Sequence, residues 1–344
     1  MITTQELAVL AGVSQSTVSR SLNNSPHISE ETRNRIQSLA KEHGYIVKKR
    51  QPHSKENGKK GGIGIVLNAN AFRRSLDLYL QYLLSEIIKQ VEDKGYYSIV
   101  LTDNMEDKAV ERVESVIKTK VLCGVVIINT DYNGRLEEQL NHYDIPHVYT
   151  QYFSRPLQKS MNIIDVDHFT GGVLATRHLI SLGHRKIGTF TSYGSDFEDR
   201  TSGYKAALQN NGIAFDAKRV VHSRPGYVYG YEAIRDNWEA LSDCTAFFAQ
   251  TDLMGIGILS YLIDSGHRVP EEYSVIGFDG INEGQYCRPQ LSTVFQPIAE
   301  IASLSIQRLV SLIDREDSKA THSFVQPILQ IRDSTAALPI RQEE

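Results

Sequence analysis

The chain has 344 residues, of which 41% are hydrophobic, and a net charge of −4. That length predicts two or three domains with sizeable cores. There is no apolar N-terminal run of signal type and no stretch of about 18 apolar residues, so the expectation is a cytoplasmic protein that is neither secreted nor membrane-spanning. The three cysteines, Cys123, Cys244 and Cys287, are scattered without metal spacing and read as reduced thiols.

The charge is unevenly divided. Residues 1–62 hold ten Lys/Arg against five Asp/Glu, and the remainder holds 27 against 36. A basic N-terminal segment on an acidic body suits a module that faces phosphates, although a solvated basic tail gives the same count.

The run TTQELAVLAGVSQSTVSRSLNN, Thr3 to Asn24, predicts two short helices joined by a tight turn. Thr3 and Glu6 can form a capping box. Leu7, Leu10 and Ala11 would face a small core, Gly12 supplies the turn, and Ser14 caps the second helix. Val18 and Leu22 form the inner stripe of that helix, which leaves Gln15, Ser16, Thr17, Ser19 and Arg20 facing outward. Small polar residues at a helix start, with an arginine one turn on, suit a major groove, where amide and guanidinium groups read base edges. A third helix opens at Ser29 with Glu30 and Glu31 at its positive end. Ile36, Leu39 and Ala40 make its inner face and Gly44 stops it. On pattern alone a generic helical hairpin remains open, but a unit of about 45 residues is too small for much core of its own and reads as an appended module.

The stretches AGVSQSTVSRSLNN (Ala11 to Asn24), HISEETRNRI (His27 to Ile36) and HGYI (His43 to Ile46) resemble, in order and spacing, the headpiece of the lactose-repressor/galactose-repressor family of bacterial transcription regulators. The resemblance implies that Gln15, Ser16 and Arg20 read bases, and that Ser14, Thr17, Ser19, Asn23 and Arg33 make phosphate or positioning contacts. It also implies a homodimer that reads a near-palindromic, double-stranded operator.

A linker follows. Residues 48–62, KKRQPHSKENGKKGG, contain six Lys/Arg and no large aliphatic residue. Such a segment cannot bury enough apolar area to fold alone. Members of the family carry a hinge helix here with a leucine that wedges into the minor groove. This chain has no leucine there and Pro52 interrupts the middle, so Lys48, Lys49 and Arg50 are assigned to phosphates or to entry into a minor groove instead.

From Gly62 the pattern alternates strand and helix. GIGIVL (Gly62 to Leu67), YYSIVL (Tyr96 to Leu101), CGVVII (Cys123 to Ile128) and PHVY (Pro146 to Tyr149) form a first series, with an amphipathic helix over about 78–94. NIIDVD (Asn162 to Asp167), RKIGTF, CTAFFA and YSVIGF form a second. This alternation predicts parallel sheets in two similar lobes with a cleft between them. Short strands near Thr293 and Val325 flank a helix over about 298–314. The expected fold is thus an all-α helix-turn-helix headpiece (1–47), a basic linker (48–61) and a two-lobed, periplasmic-binding-protein-like α/β effector domain (62–344). Its first lobe is placed at about 62–162 and 292–322, and its second at about 163–291 and 323–344.

The resemblance extends more loosely over LGHRKIG (Leu182 to Gly188), DRTSGY (ending at Tyr204), TDLMGIGIL (Thr251 to Leu259) and SVIGFDG (Ser274 to Gly280). In open parallel sheets, ligands sit at the carboxyl ends of strands. Asn68 and Asp279 directly follow predicted strands, Gln151 and Thr251 come two residues after theirs, and Arg200 opens a helix after one. Such polar groups suit a polyhydroxylated ligand, Asp279 as acceptor and Arg200 as a forked donor. Each has a plainer alternative as a turn, cap or surface residue. Tyr79 matches a cleft-lining aromatic of the family and could equally be core. Asp252 reads as a cap of the following helix, and Trp238 as packing.

The sequence gives little support for an enzyme. The Ser192-to-Ser195 run lacks nucleophile-elbow spacing, the glycines make no phosphate loop, and the 11 histidines show no metal pairing. Asp165 and Asp167 alternate in a commonplace way. The expectation is a ligand-controlled transcription regulator, in its family most often a repressor, with no cofactor, no metal and no membrane partner, residing in the cytoplasm and on the nucleoid when bound. Its effector is a sugar or sugar derivative. The alternative is a cytoplasmic sugar-binding protein without operator-specific regulation.

Overall fold

The computed structural model describes residues 4–22, 28–43, 60–68, 78–103, 107–130, 134–152, 160–316 and 319–338. The N-terminal module is three helices, α1 (Thr4–Ala11), α2 (Gln15–Leu22) and α3 (Glu30–Glu42). Leu7, Ala8, Ala11, Val18, Ile36 and Ala40 form its core, with Val13, Leu22 and Leu39 packed on it. Leu10, expected in that core, is 52% exposed. The stripe runs through positions 7, 8 and 11, and at 100° per residue position 10 falls about 60° outside its edge. Gly12 takes a φ of +63°, as the turn requires. Ser29 caps α3, its side chain accepting from Thr32 N. Two contacts that leave no mark in the sequence pattern staple the module. Arg35 Nη2 donates to the Ala11 carbonyl at 2.6 Å, at the end of α1 where carbonyls lack helical partners, and Gln37 Nε2 donates to the Ser21 carbonyl at 3.1 Å. Thr3, Gly44 and linker residues 48–59 lie outside the described residues.

The remaining strands form two six-stranded sheets. Strands β1 (Gly62–Asn68), β2 (Tyr97–Asp103), β3 (Leu122–Thr130), β4 (His147–Tyr152), β5 (Ile163–Val166) and β11 (His322–Val325) make the first, in the order β11-β5-β4-β3-β1-β2. Strands β6 (Ile187–Thr191), β7 (Val220–His222), β8 (Ala246–Ala249), β9 (Ser274–Asp279), β10 (Ser292–Phe295) and β12 (Ile328–Gln330) make the second, in the order β12-β10-β9-β8-β6-β7. Among the described residues the pairings are parallel except that of β10 with β12. Helices cover both faces of each sheet. Helices Leu78–Asp93 and Ile298–Ile313 close one face of the first, over a core that includes Leu83, Ile87, Ile301 and Leu309. Helices His168–Ser181 and Ser195–Asn210 close one face of the second, and Tyr227–Asp236 and Asp252–Asp264 the other. Strands covered on both sides are buried along their whole length, which is why β6, β8 and β9 read as unbroken apolar runs.

The lobe boundaries differ from the expected ones. Ile163–Val166 was expected to open the second lobe, yet it pairs with β4 and β11 in the first sheet. Ser292–Phe295 pairs with β9 in the second sheet, not the first, and His322–Val325 lies in the first, not the second. The chain passes between sheets where strands end, near Asp167, Gln296–Pro297 and Gln326–Pro327. Each crossing lies a few residues beyond the sequence-based boundary, because a strand must complete its ladder before it can leave the sheet. Strands β7 and β12, three residues each, were not expected; edges that short carry little periodicity.

Candidate functional site

The outward face of α2 is a candidate nucleic-acid interface. Ser14 Oγ accepts from Thr17 N at 3.2 Å and shares a 2.8 Å hydrogen bond with Thr17 Oγ1, which fixes the start of the helix. Gln15 and Arg20 are exposed on it, and Ser16 and Ser19 occupy backbone positions of the same helix. Arg33 is partly buried and donates from Nη2 to the Ile28 carbonyl at 3.1 Å, an anchor for the start of α3. Asn23, Lys48, Lys49 and Arg50 lie outside the described residues.

A second cluster forms between the lobes, at the carboxyl ends of strands from both sheets. Tyr79, on the first-lobe helix Leu78–Asp93, is buried, and its hydroxyl has no hydrogen bond of good geometry among the described residues. Burial pushes that hydroxyl well above its ordinary value, and the carboxylates of Asp165 and Asp279 push it further, against the pull of Arg200 and the neighbouring Gln151 amide. Residues from both lobes therefore converge on one phenol: Gln151 and Asp165 at the ends of β4 and β5, and Arg200 and Asp279 from the second lobe. Of the expected effector residues, the structure brings together Tyr79, Gln151, Arg200 and Asp279. Asn68 ends β1 and pairs with Asp103 by backbone; its side chain is outside the described set. Thr251 is the N-cap of helix Asp252–Asp264, its hydroxyl accepting from Met254 N at 3.3 Å.

Arg200 is 3% exposed and is held from several sides. Its Nε donates to His168 Nδ1 at 3.2 Å, its Nη1 to the Gln250 carbonyl at 2.5 Å, and its Nη2 lies 3.4 Å from Asp196 Oδ2. The guanidinium sits 4.0 Å from the Phe278 ring centroid and 4.9 Å from that of Phe197. Its acceptor His168 turns the other ring nitrogen, Nε2, toward Asp165 Oδ1 at 3.6 Å. Asp165, His168, Arg200 and Asp196 thus form a polar chain across the first crossing between lobes. Burial raises the Asp196 carboxyl, and Arg200 and His168 oppose that rise. Glycine makes the approach possible. A methyl group at Gly172 would lie 2.1 Å from the Arg200 carbonyl, so the helices bearing His168 and Arg200 touch by backbone. Sequence reasoning passes over His168 and sets Asp165 aside as commonplace; the Gly171–Gly172 pair inside an apolar helix is the available signal.

Asp279 has a φ of 121°, in the left-handed region that non-glycine residues seldom adopt. Gln296 Nε2 donates to its Oδ1 at 2.8 Å, and Gln296 Oε1 is buried without a hydrogen-bond partner among the described residues. Asp252, expected as a helix cap, holds the Asp279 loop instead. Its Oδ2 accepts from Gly280 N at 2.7 Å and Ile281 N at 2.8 Å, and its Oδ1 from Thr293 Oγ1 at 2.5 Å. Complete burial raises this carboxyl to about 7 against those stabilising bonds. The cleft offers anionic acceptors, a phenol donor and amides, which matches hydroxyl groups that both donate and accept.

A helix-turn-helix module joined to a two-lobed domain with a polar interlobe cluster is the build of a ligand-responsive DNA-binding regulator. Residues 3–47 match the family model of bacterial regulatory proteins of the lacI family, and residues 176–335 match a periplasmic binding protein-like domain. The chain thus joins a lacI-family DNA-binding domain to a periplasmic binding protein-like domain. It is 29% identical to the HTH-type transcriptional regulator MalR of Clostridium butyricum over 96% of this chain and 98% of that one. It is 28% identical to the regulator CelR of Thermobifida fusca, over 96% and 98%. The solved structure of a transcriptional regulator CelR–cellobiose complex superposes with a TM-score of 0.72 at 27% identity, covering 97% of this chain and all of that one. Among the described residues no helix is long and apolar enough to cross a membrane, and no group of three or more His, Cys, Asp or Glu could hold a metal ion.

Proposed function

We propose that this regulator acts as a repressor, binds a near-palindromic operator as a homodimer, and is controlled by a carbohydrate bound between its lobes. The observation that carries the reading is the convergence of Tyr79 and Gln151 from one lobe with Arg200 and Asp279 from the other, in a chain whose α2 exposes Gln15 and Arg20. Ser14, Gln15, Ser16, Thr17, Ser19, Arg20 and Arg33 serve the DNA, with Asn23 and the basic residues 48–50 beside them. Residues 1–47 act as the DNA-binding unit and 48–61 as its linker. The likeness to a cellobiose-bound relative supports a sugar ligand. A ligand that touches both lobes favours one lobe arrangement over another, and this differential affinity is what control of DNA binding requires. Two copies related by a two-fold axis read two half-sites, so the symmetry of the protein is mirrored in the operator. The protein works by binding and carries out no catalysis, in the cytoplasm.

A thermal-shift screen of sugars, sugar phosphates and nucleosides, followed by operator selection with and without each hit, tests the reading. The expected result is a sugar that raises the melting temperature and changes the affinity for a two-fold symmetric site. A sugar that binds with no selectable DNA site would support a plain sugar-binding protein instead.

A further inference from the structure

Tyr193 is 83% exposed, an unusual position for a large aromatic ring, and no hydrogen bond ties its hydroxyl to the described residues. It follows β6, where Gly194 at φ 129° turns the chain into helix Ser195–Asn210, the helix that carries Arg200. Its ring faces the imidazole of His222, with centroids 5.6 Å apart and planes inclined by 30°. His222 ends β7, which pairs with β6 at Thr191, and Ser223 N donates to the Thr191 carbonyl at 2.9 Å, so the two loops are tied at their base. Both rings therefore stand at the carboxyl ends of strands of the second sheet, the same end that carries Asp279.

Strand order sets their distance from the polar cluster. Asp279 ends β9, and β8 lies between β9 and β6, with β7 beyond. At about 4.8 Å per strand, the Tyr193 loop stands roughly 10 Å along the cleft from Asp279, and the His222 loop a further strand outward. One pyranose ring held by Asp279 and Tyr79 leaves that span unfilled; two linked rings cover it. An exposed aromatic pair at the rim presents a flat apolar face, on which the C–H face of a sugar ring stacks while its hydroxyls stay in water.

We propose that Tyr193 and His222 form an outer subsite that stacks the second ring of the effector, which makes the effector a two-ring glycoside such as a disaccharide. The proposal rests on the carbohydrate reading of the cleft and deepens it. Its test is titration calorimetry of the full-length protein with glucose, galactose and ribose against maltose, cellobiose and lactose. At least one disaccharide is expected to bind on the order of tenfold more tightly than its constituent monosaccharides, and Tyr193→Ala to remove that advantage while leaving monosaccharide affinity unchanged. Tyr193→Phe keeps the ring and keeps the advantage. A wild type that binds monosaccharides as tightly as disaccharides, or a Tyr193→Ala variant with full disaccharide affinity, overturns the outer subsite and leaves the carbohydrate reading standing. Silence toward every sugar overturns both.

Discussion

Tyr82 donates a hydrogen bond across the two lobes to Glu283, at 3.1 Å to Oε1 and 3.3 Å to Oε2. Tyr82 lies one helical turn beyond Tyr79, and Glu283 four residues beyond Asp279. Ile281, between Asp279 and Glu283, packs into the core of the first lobe. The loop that presents Asp279 is therefore held against the helix that presents Tyr79. Partial burial, and then the bond to Glu283, raise the Tyr82 hydroxyl, so it stays protonated and donating at neutral pH.

Tyr82→Phe removes this bond and leaves the ring packed. The loss should cost about 0.5–1.5 kcal/mol of the closed arrangement, so sugar affinity should fall severalfold in calorimetry. Glu283→Gln keeps an acceptor and should lose less. Unchanged affinity in Tyr82→Phe would show that the hydrogen bond does not bias the lobes.

Arg200 and Asp279 need different substitutions. Arg200 is buried between Asp196, His168 and Gln250, and its removal leaves Asp196 without compensation. Arg200→Ala should therefore destabilise the fold by about 3–5 kcal/mol, visible as a lower melting temperature, as well as losing ligand. Asp279→Asn is the cleaner probe. Asparagine tolerates the left-handed backbone, and its side-chain carbonyl can keep the Gln296 bond. The melting temperature should hold while the sugar response disappears. A normal response in Asp279→Asn would move the ligand elsewhere.

These two residues also show how far the sequence can be read. A polar residue at the end of an apolar strand is enough to place Asp279 and Gln151 at the cleft, because strand ends are determined by local pattern. The partners of Arg200 are not legible in that way. His168 reaches it from 32 residues away across a helix–helix contact that depends on Gly172, and spacing along one strand or helix does not report such contacts. The displaced boundaries have the same origin: Ile163–Val166 is an ordinary buried strand, and its sheet is decided by its pairing with Thr150 and Ser323 rather than by its composition. Asp252 reads as a cap because a carboxylate at a helix start usually serves as one, whereas here Thr251 does so and Asp252 accepts from a different loop.

The first lobe contains a pH-sensitive contact. His147 Nε2 lies 3.1 Å from Glu137 Oε1, and Nδ1 lies 3.0 Å from the Ile145 carbonyl, so both ring nitrogens face acceptors and the imidazolium form satisfies both. Tyr149 also donates to Glu137, and Asn141 Nδ2 does so at 3.4 Å. Burial works against the charged ring, but Glu137 and the Ile145 carbonyl outweigh it, and the His147 pKa is raised. Burial likewise opposes Glu137, whose pKa is nonetheless lowered by His147, Tyr149 and Asn141. The histidine contribution is complete below its ordinary value of 6.5 and is lost as pH rises through the raised value. The glutamate contribution is complete above 4.5 and is lost as pH falls through the lowered one. The melting temperature should therefore decline as pH rises above 6.5, and His147→Gln should flatten that decline. The contact should contribute about 1.5–3 kcal/mol where both groups are charged. Parallel profiles for wild type and variant would assign the decline to other groups.

DNA reading and DNA attraction should separate between α2 and the linker. Arg20 is exposed on the face of α2 that suits a major groove, where a guanidinium can engage a base edge. Arg20→Ala should cost about 1–3 kcal/mol at the selected operator and less on random DNA. Lys48, Lys49 and Arg50 belong to a segment without an aliphatic wedge, so their contribution should be phosphate neutralisation. Replacing all three with alanine should weaken operator and random DNA by similar factors. It should also flatten the dependence of affinity on salt, by roughly one unit of slope for each phosphate no longer neutralised. Gel-shift titrations of both variants over a series of salt concentrations distinguish the two roles. Equal losses on operator and random DNA for Arg20→Ala would make Arg20 a phosphate-binding residue. A triple alanine variant that loses operator affinity selectively, at unchanged salt slope, would show that the linker itself recognises sequence or shape at the operator centre.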